Sequence, residues 1–180
     1  MTTAALLVVD VQVAHVPLIW RGDELVDRIA GLIAAARAQG VPVIAVQQTG
    51  PAGMASGTPG WQLSPGLGVT DTDLRIEKPA TDSFYRTGLA DLLAARNVDT
   101  VVLAGVATDY CVDATARSAL SHDLNVVLVS DGHAPRADGD PDAGLTPQQV
   151  IDHHNAVLSN AIHPGGRLRL SPAAAVFGAS

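Results

Sequence analysis

The stretch ALLVVD, Ala5 to Asp10, is an unbroken apolar run that ends in a carboxylate. A strand with one face in water alternates polar and apolar residues, so a continuous run predicts a strand covered on both faces. VPVIAVQ (Val41–Gln47), TVVLAG (Thr100–Gly105) and VVLVSD (Val126–Asp131) have the same character, and LRIEK (Leu74–Lys78) reads as a shorter strand. Helical patterns fall between these runs. DELVDRIAGLIAAARAQG places Leu25, Ile29, Leu32, Ile33 and Ala36 at helical spacing, with Asp23 as the expected cap and Gly40 as the stop. TGLADLLAARN is a second helix capped by Thr87. TPQQVIDHHNAVLSN opens with Thr146 as cap, Pro147 in the first turn and Gln149 completing a capping box. RLRL (Arg167–Leu170) is a candidate edge strand. Strands alternating with helices imply parallel pairing through right-handed crossovers. The expected fold is α/β, a three-layer α/β/α sandwich with a central parallel sheet.

A length of 180 residues suits a single domain over 1–180, with Ala, Val and Leu supplying most of the packing because only 3% of residues are aromatic. The net charge is −7, and the 11 basic residues form no cluster. Binding nucleic acid requires a basic stripe that displaces phosphate counterions, so no nucleic-acid partner is expected. No apolar stretch approaches the roughly 20 residues of a membrane span, and the N-terminus has no basic region ahead of its apolar run. A single cysteine allows no intrachain disulfide and fits a reducing compartment. These features together predict a soluble cytoplasmic protein.

Asp10 closes the first strand, Lys78 the third, and Cys111 lies just past the fourth. Ligands of open parallel sheets bind beyond the carboxyl ends of the strands, so three chemically distinct reactive groups map to one edge. Singly, each has an ordinary explanation: a turn-forming Asp, a solvated Lys, a small buried Cys. No packing rule asks for all three at one edge. Thr108 and Asp109 read as cap and first-turn residues of the helix that carries Cys111. Its start, together with a nearby Lys78 ammonium, is expected to favour the thiolate. Asp10 would carry the thiol proton to a leaving amine.

LLVVDVQ, EKPATDSFYRTGL and VVLAGVATDYCVDATARSAL, in this order, resemble the isochorismatase-like (cysteine hydrolase) superfamily. That group includes nicotinamidases, N-carbamoylsarcosine amidohydrolase, ureide and biuret hydrolases, and isochorismatases. The resemblance extends over nearly the whole chain, through SDGHAP and LTPQQVIDHHNAVL. It implies a catalytic triad of Asp10, Lys78 and Cys111, a cis peptide between Val106 and Ala107, an oxyanion site built from the Ala107 and Cys111 N–H groups, and a homo-oligomer. Nicotinamidase-like members carry an Asp-x-His…His metal site after the second strand. Here VQQTGPAGMASGTPGWQL has neither His nor Asp. The adjacent His153 and His154 point about 100° apart on a helix and cannot share one ion. No metal and no cofactor are therefore expected.

For the substrate, a small molecule, the expected contacts are Gln12, Trp61, Phe84 and Tyr110, since aromatic walls suit a small planar ligand. His15 and Arg21 are weaker candidates, and the Gly/Pro-rich stretch 49–68 is the expected source of specificity. Retention of Cys111 tilts the chemistry toward C–N cleavage of an amide or ureide through a thioester. Isochorismatase-type vinyl-ether hydrolysis is the nearest alternative. A non-catalytic small-molecule binder or thiol redox sensor is the reading from another class.

Overall fold

A computed structural model describes residues 3–51 and 53–178. Six strands form one sheet: β1 Ala4–Val9, β2 Val43–Gln48, β3 Leu74–Lys78, β4 Thr100–Val106, β5 Asn125–Ala134 and β6 Leu168–Ser171. Their order is β3-β2-β1-β4-β5-β6, and every pairing is parallel. Parallel strands need crossovers, and the helices that supply them cover both faces. α1 Gly22–Ala38 and the short α5 Ala173–Val176 lie on one face. α2 Leu89–Ala94, α3 Asp113–Ser121 and α4 Pro147–Ser159 lie on the other.

The apolar runs follow from this layering. Ala5, Leu7 and Val9 of β1 enter the core beneath α2 and α3, whereas Leu6 and Val8 enter the core beneath α1. All five are fully buried, so neither side of β1 could be polar. α1 buries Leu25, Val26, Ile29, Leu32, Ile33 and Ala36 on the stripe expected from the sequence.

Local details differ from the sequence reading in physically readable ways. α1 starts at Gly22 behind a left-handed Arg21, and Asp23 and Glu24 sit in the first turn, where they complement the helix dipole rather than cap it. The left-handed Gly40 follows the helix end, as expected of a C-terminal stop. Gly88 takes the cap position of α2, although the Thr87 hydroxyl still accepts the Leu89 N–H at 3.3 Å. The Thr146–Gln149 capping box of α4 is formed. β5 runs on past Asp131, where the apolar run ends, through Gly132 to Ala134. A register shift against β4 lets Gly105 pair with His133.

Strand order reverses between β1 and β4, which opens the crevice used by ligands in doubly wound sheets. At this point Gly105 pairs with Val9 and adopts φ +137°, and a Cβ there would lie 2.1 Å from the Val9 carbonyl oxygen. Only glycine fits. Gly105→Ala is therefore expected to destabilise the fold by at least about 2 kcal/mol in urea denaturation. An unchanged midpoint would refute this close approach.

Candidate active site

Three strand ends deliver the polar groups. Asp10 directly follows β1 with a left-handed backbone (φ 56°), a region that Asp tolerates better than most residues. Lys78 is the last residue of β3, and Gln48, at the end of β2, is its register partner. Beyond β4 the Val106–Ala107 peptide is cis, and Thr108–Val112 forms a π-helical turn leading into α3. Cys111 belongs to this turn.

Lys78 is fully buried, and its ammonium is surrounded. Nζ donates to Gln48 Oε1 (2.7 Å) and to the Ala80 carbonyl (2.9 Å), and lies 3.2 Å from Cys111 Sγ. It also forms an ion pair with Asp10 Oδ2 at 2.7 Å. An ammonium has three protons, so two go to Gln48 and Ala80 and one is left for Asp10 and Cys111 together. Neither oxygen of the buried Asp10 carboxyl receives a well-aligned hydrogen bond among the described residues.

The electrostatics agree with that count and correct the expected resting thiolate. Burial raises the Asp10 pKa above the usual carboxylate value, against the opposing pull of Lys78. Burial and then the Asp10 charge push the Cys111 thiol up to about 12, and Lys78 offsets only part of this. The Cys111 sulfur therefore rests as a thiol. Thr108 does not cap the turn either. Its hydroxyl lies 2.9 Å from His133 Nδ1, while His133 Nε2 lies 3.1 Å from Asn155 Oδ1 and Asn155 Nδ2 donates to the Ser130 carbonyl at 3.0 Å. The amide orientation makes His133 Nε2 the donor, so Nδ1 accepts from Thr108. His133 is buried, and this burial lowers its pKa to about 4.

Asp10, Cys111, Val106 and Ala107 line a cavity of about 290 Å³ with His15, Leu18, Ile19, Gln48, Thr81, Tyr110 and Arg136. Of the expected substrate contacts only Tyr110 belongs to this wall. Gln12 is buried elsewhere: its amide donates to the Gln48 and Trp61 carbonyls and accepts the Gln48 N–H, clamping loop to sheet. That clamp, with Gln47 Nε2 on the Trp61 carbonyl, holds Trp61 away from the cavity. Phe84 sits in the core and stacks on His122 at 4.7 Å. No described residue of the 49–68 stretch reaches the cavity, whereas His15, a weaker candidate, does. Arg21 pairs with Glu24 outside it. Leu18, Ile19 and Arg136 were missed because an isolated antiparallel bridge, Ile19 with Arg136, brings them together across more than 100 residues. His153 and His154 meet edge to face, and among the described residues no three His, Cys, Asp or Glu side chains converge as metal ligands. No helix among the described residues is long and apolar enough to cross a membrane.

A family model described as the Isochorismatase domain matches residues 4–159. A streptothricin hydrolase from Streptomyces noursei is 40% identical over 135 residues, 72% of this chain and 49% of that protein. The chain thus spans about half the length of that relative. YecD, an isochorismatase family protein of Escherichia coli O157:H7, is 35% identical over 147 residues, 72% of this chain and 78% of its own. The crystal structure of N-carbamoylsarcosine amidase from Thermoplasma acidophilum superposes with a TM-score of 0.76 at 26% identity, covering 99% of this chain and 100% of that one.

Two outcomes are expected. Removing the Asp10 charge lowers the thiol pKa, so Asp10→Asn should speed alkylation of Cys111 by iodoacetamide at pH 8 about tenfold. A slower or unchanged rate would contradict the assigned resting state. His133 binds its proton more weakly folded than unfolded, so stability is fully present above about 6.5 and falls as pH drops toward about 4. This loss, on the order of 3 kcal/mol, should be missing from His133→Asn and so appear in the difference between wild type and that variant in an acid denaturation series.

Proposed function

The chain belongs to the isochorismatase family, and from that premise we propose that it is a cysteine-dependent hydrolase that cleaves the C–N bond of a small amide or ureide. The observation that carries this reading is the placing of Cys111 Sγ against the Lys78 ammonium and the Asp10 carboxyl on the wall of one cavity. Mere binding needs neither a buried ammonium nor an underbonded carboxylate. The amidase named among the superposed structures supports C–N chemistry in particular.

A resting thiol defines the first step. Asp10 takes the Cys111 proton as sulfur attacks the carbonyl carbon, so no free thiolate accumulates. The carbonyl oxygen becomes an oxyanion, and the N–H groups of Ala107 and Cys111 are the donors assigned to it. Collapse breaks the C–N bond, and Asp10 returns its proton to the departing nitrogen. Water then adds to the thioester while Asp10 accepts one of its protons. Sulfur leaves, recovers that proton, and a carboxylic or carbamic acid is released. Lys78 stays protonated throughout. It holds Asp10 and sulfur in place and balances the single negative charge that moves between them.

A panel of small amides, carbamoyl compounds and ureides, assayed for ammonia or amine release, provides the test. Cys111→Ala should reduce kcat/KM by about 10³-fold or more with little change in melting temperature. Intact mass after brief exposure should show an acyl adduct on Cys111. Turnover that survives Cys111→Ala but not Asp10→Asn would replace this mechanism with proton-driven ether cleavage.

A further inference from the structure

His15 is the remaining imidazole at the cavity, and the triad chemistry does not use it. It lies five residues past Asp10, is half-buried, and lines the same wall as Cys111. Its Nδ1 lies 2.9 Å from the main-chain carbonyl oxygen of Asp10. A carbonyl can only accept, so Nδ1 carries the proton and donates it. In the neutral ring Nε2 then holds a lone pair. Among the described residues Nε2 has no partner, and the edge that bears it faces away from the strand end to which Nδ1 is tied.

The other polar side chains of the cavity are differently placed. Gln48 is committed at both ends, its Oε1 to Lys78 and its Nε2 to the Thr49 carbonyl. Arg136 is exposed and pairs with Asp138. Thr81 and Tyr110 are exposed at the mouth, and their hydroxyls can rotate to donate or accept. Asp10 is engaged in the proton transfer. Among the described side chains that line this cavity, His15 Nε2 is thus left as an acceptor of fixed polarity.

We infer that His15 determines specificity: its Nε2 accepts an N–H of the substrate and so selects primary and secondary amides and ureides over tertiary amides and esters. The inference rests on the amide or ureide reading above. Asp10 protonates the departing nitrogen in the proposed mechanism, which puts that nitrogen on the Asp10 side, where His15 is anchored. An ester or a fully alkylated amide has no proton to offer there. The imidazole lone pair is then buried against the ligand without a partner, and this mismatch is the source of discrimination.

Nitrogen-15 NMR of the full chain carrying Cys111→Ala tests this without any covalent step. A failure of the thioester mechanism would show in the turnover screen and leave this measurement intact. In the free protein, His15 Nδ1 is expected at a protonated shift and Nε2 at an unprotonated one. Benzamide should move the Nε2 signal, and N,N-dimethylbenzamide should not. His15→Asn keeps an N–H for the Asp10 carbonyl but has no atom at Nε2, and should weaken benzamide binding roughly fivefold without altering dimethylbenzamide binding. His15→Gln, which extends an amide oxygen toward that position, should restore part of the loss. A proton on Nε2 in the free protein, no response or an equal response to the two benzamides, or unchanged benzamide affinity in His15→Asn would overturn the assignment.

Discussion

The fully buried ammonium of Lys78 is the constraint around which the carboxyl edge of the sheet is arranged. Removing such a charge from water costs several kcal/mol unless close partners replace its hydration. Here the partners come from three directions: Asp10 after β1, Gln48 at the end of β2, and Cys111 beyond β4, with the Ala80 carbonyl closing the shell. β3 lies at the edge of the sheet, so its last side chain must reach inward past β2 to meet them. The register of Gln48 opposite Lys78 sets the start of that path. Changing any one partner leaves either a cation short of acceptors or a carboxylate short of a cation, so these positions are coupled through one charge.

That charge also bears on how the Cys111 sulfur rests. A buried site with one cation tolerates one anion, and the carboxylate, with the lower intrinsic pKa, holds it. A sulfur at rest as a thiol is less exposed to oxidation than a standing thiolate. In the proposed mechanism activation is tied to the substrate, because the proton would move to Asp10 as negative charge passes through sulfur to the carbonyl oxygen. Desolvation and the neighbouring carboxylate push the thiol pKa up, and Lys78 offsets only part of this.

Much of this was legible in the sequence. The apolar runs of β1 and β4 announce strands covered on both faces because no polar residue could survive on either side. Asp10, Lys78 and Cys111 could be grouped because strand ends in a parallel sheet share an edge. The walls of the cavity could not be found in this way. Trp61 and Phe84 stand near reactive residues in the sequence, but proximity along the chain does not say which way a side chain points. One is held by carbonyl contacts to Gln12 and Gln47, and the other is drawn into the core. Thr108 carries the composition of a cap, yet its hydroxyl serves His133, which reached it through a register shift that no local pattern reveals. The continuation of β5 past Asp131 was hidden because the apolar run stops there.

The two histidines near the reactive cysteine show how the fold assigns opposite tasks to one chemical group. Asn155 takes the proton side of His133, so Nδ1 accepts from Thr108 and fixes the first residue of the turn that presents Cys111. The Asp10 carbonyl takes the proton side of His15, so Nε2 is left as the acceptor. In each ring an oxygen supplied by the fold selects the tautomer, and the tautomer determines what the other nitrogen can do. His133 is enclosed and satisfied at both nitrogens, so its lone pair holds the turn together. His15 is half-buried and satisfied at one, so its lone pair is available to a ligand. The Asp10 carbonyl accepts the Gln12 N–H at 2.8 Å as well, and its second lone pair serves His15. The left-handed turn at Asp10, which aims the carboxyl at Lys78, places that carbonyl within reach of the imidazole as well.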